Sequence, residues 1–257
     1  MNAIEVNDLT FGYSKGQTVL DCLSFQCKKG SINILLGLNG SGKTTLIKLL
    51  AGLLNPASGE IFLNGSKLTE LSIRKRSKIM AYVAQRSSLI DDFSVKDYLL
   101  FGKVNQLNFY QSPGKAEIEN VEQYAERFKI TQYFNKKLGE LSGGERQIVS
   151  ICAAIIQNTE IVILDEPTSA LDIKNQHVVL SLLKEIVNQE GKTFVLSSHN
   201  PNHALYLDCN AFLLKDGKIL NRGKAADIIT IEKLQPIYGN DICVSGDLPY
   251  QEITFRD

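Results

Sequence analysis

The chain has 257 residues, of which 44% are hydrophobic, and its 28 Lys and Arg residues balance its 28 Asp and Glu residues. This length allows one large domain with a well-buried core, and zero net charge argues against a nucleic-acid partner because no overall field would attract one. The N-terminal residues do not resemble a signal peptide and the apolar runs are too short to span a bilayer, so we expect a soluble, cytoplasmic chain.

The first 85 residues alternate between strands and helices. The segment 4–36 is rich in β-branched and aromatic residues, which predicts strands, with turns at Gly12 and at 29–30. Beyond these, the expected strands cover 32–38, 60–63 and 81–85. The expected helices cover 44–54, where apolar side chains recur at helical spacing, and the basic, polar segment 68–80.

A different pattern occupies residues 86–159, where helices and loops replace the alternation. An amphipathic helix there is marked by apolar side chains at helical spacing, namely Ile118, Val121, Tyr124, Ala125 and Phe128. Alternation then returns, with expected strands at 161–164 and 193–198 on either side of a helix at 173–189.

Strands that alternate with helices imply a parallel α/β sheet. We therefore predict a single domain, 1–257, in which a helical lobe at 86–159 is inserted between 1–85 and 160–257. The five cysteines include no C-x-x-C pair, so we expect small buried side chains in a reducing compartment and no disulfide or metal site.

A phosphate-binding loop is predicted at 37–44, which reads G-L-N-G-S-G-K-T and fits G-x4-G-K-[ST]. The glycines let the backbone wrap around phosphates with its N–H groups pointing inward, Lys43 would reach the β- and γ-phosphates, and the Thr44 hydroxyl would bind Mg²⁺. A dinucleotide site is disfavoured because the loop lacks G-x-G-x-x-G. The predicted nucleotide contacts are Gly37, Asn39, Gly40, Ser41, Gly42, Lys43, Thr44 and Thr45.

Two carboxylates follow the bare apolar strand at 161–164. Asp165 ends that strand, where a metal-orienting acid is expected in a phosphate-loop protein. Glu166, one residue further, would face the γ-phosphate and could act as general base on a water molecule. Directly after a buried strand, this pair is better explained by a nucleotide site than by a solvated loop.

A second phosphate-type site is suggested by L-S-G-G-E-R-Q at 141–147. Here two glycines behind a serine precede a helical run, and free N–H groups at a helix N-terminus attract anions. A chain with one phosphate loop has no evident need for another such site.

The order of these motifs resembles that of the ATP-binding cassette (ABC) ATPases over essentially the whole chain. It comprises Tyr13, the phosphate loop, Gln85, L-S-G-G-E-R-Q, I-L-D-E-P at 163–167, S-A-L-D at 169–172 and His199. The resemblance implies an α/β P-loop NTPase fold with a RecA-like core, an N-terminal antiparallel β subdomain and an inserted helical subdomain. A GTPase is disfavoured because N-K-K-L at 135–138 lacks the acid of N-K-x-D, and a small-molecule kinase would have no use for L-S-G-G-E-R-Q.

The resemblance also assigns the second site. Two cassettes would pack head to tail as a homodimer, so that Ser142, Gly143 and Gly144 contact the ATP held by the partner chain. Asp172 resembles the residue that communicates across this dimer. The cofactors implied are ATP and Mg²⁺, with Thr44, Gln85 and Asp165 as metal-site residues.

Three further residues take family roles by position. Tyr13 resembles the aromatic that stacks on adenine, with a packing role in the β subdomain as the alternative. Gln85 resembles the glutamine near Mg²⁺ or the attacking water, and His199 the histidine that contacts the γ-phosphate. An Asn-Pro pair follows His199 where many members have an aspartate. His177 and His203 are interpreted as helix-face residues without a catalytic role.

Looser similarities concern the cargo. The stretches 81–85, 97–102, 171–176, 199–205 and 223–239 resemble the ATPases of iron–siderophore, haem and cobalamin importers. This implies a subunit on the cytoplasmic face of the cell membrane, bound to a permease and served by a substrate-binding protein. Alternatives are a molybdate importer, an exporter, and a soluble ABC ATPase without a permease. A permease groove over 84–102, with Leu89, Ile90, Phe93 and Val95 as its floor, competes with packing of these side chains inside the lobe.

Overall fold

The computed structural model describes residues 1–14, 16–85, 91–104, 113–245 and 252–255. Its strands are β1 Asn2–Phe11, β2 Leu20–Lys28, β3 Ile32–Leu36, β4 Ser58–Leu63, β5 Ser66–Lys67, β6 Met80–Val83, β7 Ile161–Leu164, β8 Thr193–Ser198, β9 Asn210–Lys215, β10 Lys218–Lys224, β11 Ile242–Ser245 and β12 Glu252–Phe255. Its α-helices are α1 Lys43–Leu50, α2 Ile73–Ile79, α3 Val95–Phe101, α4 Lys115–Arg127, α5 Gly143–Ile156, α6 Ile173–Glu190, α7 Pro201–Leu207, α8 Ala225–Ile228 and α9 Ile231–Tyr238.

The central sheet has the strand order β10-β9-β3-β8-β7-β6. Its strands β9, β3, β8, β7 and β6 are parallel, and β10 joins β9 as an antiparallel edge. Every residue of β3, β7 and β8 is buried, as expected for parallel strands covered on both faces. Because parallel strands end at one edge, the segments after β3, β7 and β8 come together there.

A second sheet, β2-β1-β4-β5, is antiparallel. Buried and exposed residues alternate through much of β2, the pattern of a sheet with one face on a core. Its inner face packs with α1 and with one face of the central sheet in one hydrophobic cluster. The parallel core and the N-terminal antiparallel sheet confirm the predicted fold class.

The opposite face of the central sheet packs with α3, α4, α5 and α6 in a second cluster. The described residues between β6 and β7 form α3, α4, α5 and two short 3-10 turns at 131–133 and 138–140. This matches the expected change of pattern, although the boundaries at 86 and 159 stay a prediction. Val121, Ala125 and Phe128 of the expected amphipathic helix are buried.

Several predicted elements have different bounds; the strand expected at 81–85, for example, is β6, Met80–Val83. Strand β3 stops at Leu36 rather than at 38, because the carbonyl groups of Gly37 and Leu38 leave the sheet to accept hydrogen bonds from Lys43. Helix α1 stops at Leu50 rather than at 54, before Gly52 at φ +65°. The segment 68–80 splits into a 3-10 turn and α2, because the Ser72 hydroxyl accepts from Lys75 N at 3.3 Å and starts a new helix.

The C-terminal hairpin β11–β12 is held to α7 by a reciprocal amide contact. Asn202 Nδ2 donates to Ile253 O at 3.0 Å, and Ile253 N donates to Asn202 Oδ1 at 2.7 Å. Ile242 and Ile253 are buried in the second cluster. Within the part of the chain that is described, no helix is long and apolar enough to cross a membrane.

The cysteine prediction holds for only part of the set. Cys27, Cys152 and Cys209 are buried, as expected. Cys22 is exposed, and the expectation of a buried side chain was wrong there. The cause is local: Cys22 lies at φ +50°, between the paired residues Leu20 and Leu23, where the register of β2 against β1 shifts.

Candidate active site

The loop between β3 and α1 has a backbone that only glycine fits at two positions. Gly42 lies at φ +103°, and a Cβ atom there would be 2.7 Å from Leu20 Cδ2. A Cβ atom on Gly37 would collide with the carbonyl oxygen of Leu214. The loop is therefore pressed against β9 and against the start of β2, and its shape is fixed by the surrounding sheet.

Lys43 occupies the inside of this loop. Its Nζ donates to Gly37 O at 2.8 Å and to Leu38 O at 3.0 Å, and lies 3.7 Å from Glu166 Oε1. The residue is only 4% exposed. Burial lowers the pKa of the Lys43 ammonium from 10.5, while the carboxylates of Glu166 and Asp165 act in the opposite direction. A buried ammonium with two carbonyl partners and a nearby carboxylate is placed to meet an anion.

Asp165 is buried at the end of β7 and accepts two hydrogen bonds. Thr44 Oγ1 donates to its Oδ1 at 3.2 Å and Ser197 Oγ donates to the same oxygen at 2.7 Å. Burial raises the pKa of the Asp165 carboxyl, and these two hydrogen bonds partly oppose the effect. The predicted metal residues Thr44 and Asp165 are therefore in direct contact.

Glu166 is held at φ +45°, an uncommon conformation for a residue with a side chain. Its N–H donates to Ser197 Oγ at 2.8 Å. Its carboxylate accepts from Gln85 Nε2 at 2.9 Å and lies 4.0 Å from His199 Nδ1. The three predicted catalytic residues, Glu166, Gln85 and His199, are thus brought together.

Ser197 was not predicted from the sequence, although it contacts both acidic residues. In the parallel pairing Leu164 lies opposite Leu196, so Asp165 and Ser197 follow at the same level. The available signal was a small hydroxyl residue at the end of the strand that precedes His199. That signal has meaning only once β7 and β8 are known to be neighbours.

The phosphate loop, Glu166, Gln85 and His199 line a pocket of about 590 Å³ that is open to solvent. The pocket is lined by Val19, Asn39, Gly40, Gly42, Lys43, Thr44, Thr45, Gln85, Glu166 and His199. Ser41, a predicted contact, is instead 7% exposed with its hydroxyl turned into the interior. Of the predicted nucleotide contacts, Asn39, Gly40, Gly42, Lys43, Thr44 and Thr45 line the pocket, and Gly37 and Ser41 do not.

Tyr13 lies beside this pocket and remains 60% exposed. Its hydroxyl is 3.2 Å from Thr45 Oγ1, and its ring packs edge-on against Phe11 with centroids 5.0 Å apart. An exposed ring fixed at its edge leaves a face free for a base to stack on. The exposed ring face fits the expected adenine contact. The contact with Phe11 is the part of the environment of Tyr13 that the packing alternative explains.

The segment 141–147 forms the start of α5 and closes its hydrogen bonds locally. Ser142 Oγ accepts from Glu145 N at 3.3 Å, while Ser142 N donates to Glu145 Oε2 at 2.7 Å. This is a capping box. A Cβ atom on Gly143 would have no neighbour within 4 Å, whereas one on Gly144 would be 3.1 Å from Ala170 O. One side of the segment is therefore open, and the other lies on the loop before α6.

Asp172 caps α6 in the same manner. Its Oδ1 accepts from Asn175 N at 2.7 Å, and the residue is exposed. Ser142, Gly143, Gly144 and Asp172 are absent from the residues that line the pocket. Within one chain, the four residues predicted to act on a partner's nucleotide therefore stand outside the chain's own nucleotide site.

The two histidines interpreted as non-catalytic lie on helices, as expected. His177 is exposed on α6, with its ring 4.8 Å from that of Tyr206. His203 is buried on α7, where Ser198 and Gln176 contact its two nitrogens. Burial, with a smaller effect of His199, lowers the pKa of the His203 imidazole to about 4.

The predicted permease groove is only partly described. Leu89 and Ile90 lie outside the described residues. Val95 is fully buried in the core, so its assignment to a groove floor was wrong. Phe93 is half-buried, and its ring is 5.0 Å from that of Phe101, which is 52% exposed. Phe93 and Phe101 form an aromatic surface pair that the sequence suggested only in part.

A phosphate loop after β3, an acidic pair at the end of β7 and a capped glycine pair outside the pocket together define a nucleotide-hydrolysing cassette. The chain belongs to the ABC transporter family, whose profile matches residues 20–169. It is therefore an ABC-type ATPase whose nucleotide is ATP.

Several relatives match along most of their length. A probable iron chelatin transport ATP-binding protein of Helicobacter pylori is 34% identical over 91% of this chain and 92% of its own. The achromobactin transport ATP-binding protein CbrD of Dickeya dadantii is 32% identical over 96% and 91%. The molybdate import ATP-binding protein MolC of Haemophilus influenzae is 32% identical over 92% and 88%.

Solved structures give the same result. A transporter described as metal-chelate type, in an inward-facing conformation, superposes with a TM-score of 0.83 at 29% identity, covering 99% of this chain and 97% of the other. The ATP-binding cassette MJ0796, dimeric with ADP and Pi in a post-hydrolysis state, superposes at 0.78 and 26% identity, covering 86% and 98%.

Proposed function

We propose that this chain is the ATP-hydrolysing subunit of an importer for a ferric chelate, a haem or a cobalamin, with a siderophore complex as the first candidate. The observation that carries the proposal is full-length similarity to a metal-chelate type transporter, with 99% of this chain and 97% of the other covered. The iron chelatin and achromobactin relatives support it. MolC makes molybdate the alternative cargo.

Glu166 acts as general base in this proposal. Gln85 holds one carboxylate oxygen at 2.9 Å and Lys43 lies 3.7 Å from the other, so the carboxylate is fixed at the pocket wall. A water molecule between Glu166 and a γ-phosphate would lose its proton to the carboxylate as it attacks. His199, exposed at the same wall, would contact the γ-phosphate.

The residues present fit Mg²⁺. Thr44 Oγ1 and Asp165 Oδ1 lie 3.2 Å apart, and Gln85 keeps its amide oxygen available because its nitrogen serves Glu166. Hydroxyl, carboxylate and amide oxygens are ligands that Mg²⁺ accepts. The ion would neutralise charge on the β- and γ-phosphates. Ser197 would keep the Asp165 carboxylate oriented toward Thr44.

The open faces of Gly143 and Asp172 support a head-to-tail dimer. Each chain would contribute Ser142, Gly143 and Gly144 to ATP bound by the partner, and hydrolysis would release the pair. The dimer would sit on the cytoplasmic face of the membrane under a permease, which Phe93 and Phe101 would contact. A substrate-binding protein would deliver cargo on the other side.

Uptake of a labelled ferric chelate tests the cargo. Cells lacking the native gene receive the native chain, Glu166→Gln or the control Glu126→Gln, which changes an exposed carboxyl on α4. We expect uptake with the native chain and control, and its loss with Glu166→Gln at equal expression. Equal uptake in all three would exclude that chelate, and parallel assays with haem, cobalamin and molybdate would then identify the cargo.

Fractionation tests the link to the membrane. The chain should sediment with membranes when its permease is expressed and stay in the supernatant when the permease is absent. A chain that remains in the supernatant in both cases would favour a soluble ABC ATPase. An exporter would be indicated if cells lacking the chain accumulate more of the labelled compound than cells containing it.

A further inference from the structure

A chain of hydrogen bonds joins the segment that carries His199 to the loop that precedes α6. Ser198 Oγ is 3.0 Å from His203 Nδ1, and His203 Nε2 is 3.3 Å from Gln176 Oε1. Gln176 Nε2 in turn donates to Thr168 O at 3.2 Å and to Leu171 O at 3.0 Å. One imidazole therefore stands between two parts of the site that are about thirty residues apart in sequence.

The chemistry of the backbone carbonyl groups fixes the direction of the bonds at Gln176. The carbonyl oxygens of Thr168 and Leu171 can only accept, so the Gln176 nitrogen must face them and its oxygen must face His203. That oxygen also only accepts, so His203 carries its proton on Nε2. Nδ1 is then the acceptor for the Ser198 hydroxyl, which itself accepts from Asn200 N at 3.0 Å.

The imidazole must be neutral for this pattern to hold. A proton on Nδ1 would make the Ser198 hydroxyl the acceptor in that contact and leave it only the longer contact with Asn200 O, at 3.5 Å, to donate to. His203 and Ser198 are 7% and 3% exposed, and burial lowers the pKa of the His203 imidazole to about 4. The uncharged, Nε2-protonated form is therefore the one present near neutral pH.

Both ends of the chain reach residues with assigned roles. Ser198 and Asn200 flank His199, which lines the nucleotide pocket. Thr168 and Leu171 bracket the loop whose Ala170 lies under Gly144 and whose end is Asp172. If Ser198 or Gln176 moves, its hydrogen bond to His203 is stretched. The hydrogen bond on the other side of the imidazole then opposes the movement.

We infer that His203 is a positioning residue that, through Ser198 and Gln176, holds His199 and the loop 168–172 in fixed relation. The inference rests on the proposed function, because that function assigns His199 to this chain's nucleotide and Asp172 to the dimer partner. His203 itself touches neither. Through His203, the position of His199, which would contact the γ-phosphate, depends on the position of the loop 168–172, which would meet the partner chain.

The test compares ATP turnover and ATP affinity in purified variants at a temperature where all are folded. His203→Asn keeps an acceptor near Nδ1 but cannot reach Gln176, and Gln176→Met removes the other half of the contact. We expect each to lower kcat about ten- to a hundredfold, as misplacement of a catalytic group does, with the Kd for ATP unchanged. The double variant should be no slower than the slower single variant, because both cut one connection.

His177→Asn is the matched control, since it makes the same change one residue from Gln176 but outside the chain of hydrogen bonds. It should leave kcat unchanged. His203→Gln, whose amide nitrogen can take the place of Nε2–H, should restore part of the rate. A histidine that served packing alone would give variants with lower melting temperatures and native kcat, and no rescue pattern.

The inference is overturned if kcat of His203→Asn stays within about twofold of native, or if the two single effects multiply in the double variant. If His203→Asn fails to fold, Ser198→Ala interrupts the same chain of hydrogen bonds by removing one hydroxyl. A native kcat in that variant would also overturn the inference. Glu166→Gln is measured alongside. If it turns over at the native rate, the proposed function fails; if only His203→Asn and Ser198→Ala are native-like, this inference alone fails.

Discussion

The pocket around Lys43 and the surface around Gly143 satisfy their polar groups in different ways. In the pocket, Thr44 and Ser197 both donate to Asp165, and the Glu166 N–H donates to Ser197, so residues at the ends of different strands are joined. At the surface, Ser142 and Asp172 each close a cap within three residues of themselves. The pocket residues are therefore held by contacts between different strands. At the surface, Ser142 and Asp172 are each held by the first turn of their own helix. An exposed surface whose caps are closed locally and which does not line the chain's own pocket is suited to a ligand brought by another chain.

The largest expected effect breaks the pocket alone. Glu166→Gln removes the carboxylate proposed as general base but keeps the shape and the contact with Gln85, so kcat should fall on the order of 10²- to 10⁴-fold. ATP binding should persist, and ATP should then trap a dimer detectable by size-exclusion chromatography. Native turnover would remove the role given to Glu166. A variant that is inactive and remains monomeric with ATP would contradict the dimer.

A smaller effect is expected when Lys43 becomes Ala. The variant loses the buried ammonium that would meet the β- and γ-phosphates, and a charged hydrogen bond contributes about 1.5–3 kcal/mol. The Kd for ATP should rise about ten- to a hundredfold, measured by titration calorimetry. Lys75→Ala, at an exposed position on α2, is the control. Equal affinity in both variants would show that Lys43 does not bind the nucleotide.

Gly143→Ala tests the surface and leaves the residues of the pocket unchanged. The added Cβ meets nothing within 4 Å in the single chain, so stability should be unchanged or higher by up to about 1 kcal/mol. Binding of ATP to the isolated chain should be native. If a partner's phosphate approaches this glycine, kcat should fall about tenfold or more. Full activity with a bulkier residue there would count against the assignment in trans.

The smallest effect is expected for Ser197→Ala. Asp165 loses one donor and the buried N–H of Glu166 loses its acceptor, which should cost about 1–3 kcal/mol of unfolding free energy. Chemical denaturation measures this cost, with Ser77→Ala on α2 as the control. Because Ser197 lowers the pKa of the Asp165 carboxyl, its loss should also raise the Mg²⁺ concentration needed for half-maximal turnover. Unaltered stability and Mg²⁺ dependence would contradict this role.

Sequence reasoning located the pocket because its main residues are contiguous in the chain. The loop at 37–44 and the pair Asp165–Glu166 are each recognisable without knowledge of their neighbours. Ser197 was missed because its partners, Asp165 and Glu166, follow another strand. The pairing of β7 with β8 creates the contact between Asp165 and Ser197, and no local pattern encodes that pairing.

The same reason explains the two errors about burial. Val95 begins a helix whose inner face is set by packing against α5, so the apolar residue lies in the core rather than on a groove. Cys22 lies near the start of β2, where a shift of register turns it outward. Hydrophobic pattern predicts which residues prefer burial. It does not predict at which residue the tertiary contacts give a different burial.

The exposure of Cys22 gives the protein a chemical handle. Burial raises the pKa of the Cys27 and Cys209 thiols to about 12, so they hold almost no reactive thiolate at neutral pH. With Cys243 replaced by serine, a maleimide dye or nitroxide should attach at Cys22 in preference to the buried thiols. The label would sit in the antiparallel sheet, on a residue that does not line the pocket. Two labelled chains would then report their separation through each cycle of ATP binding and hydrolysis, with the catalytic residues unmodified.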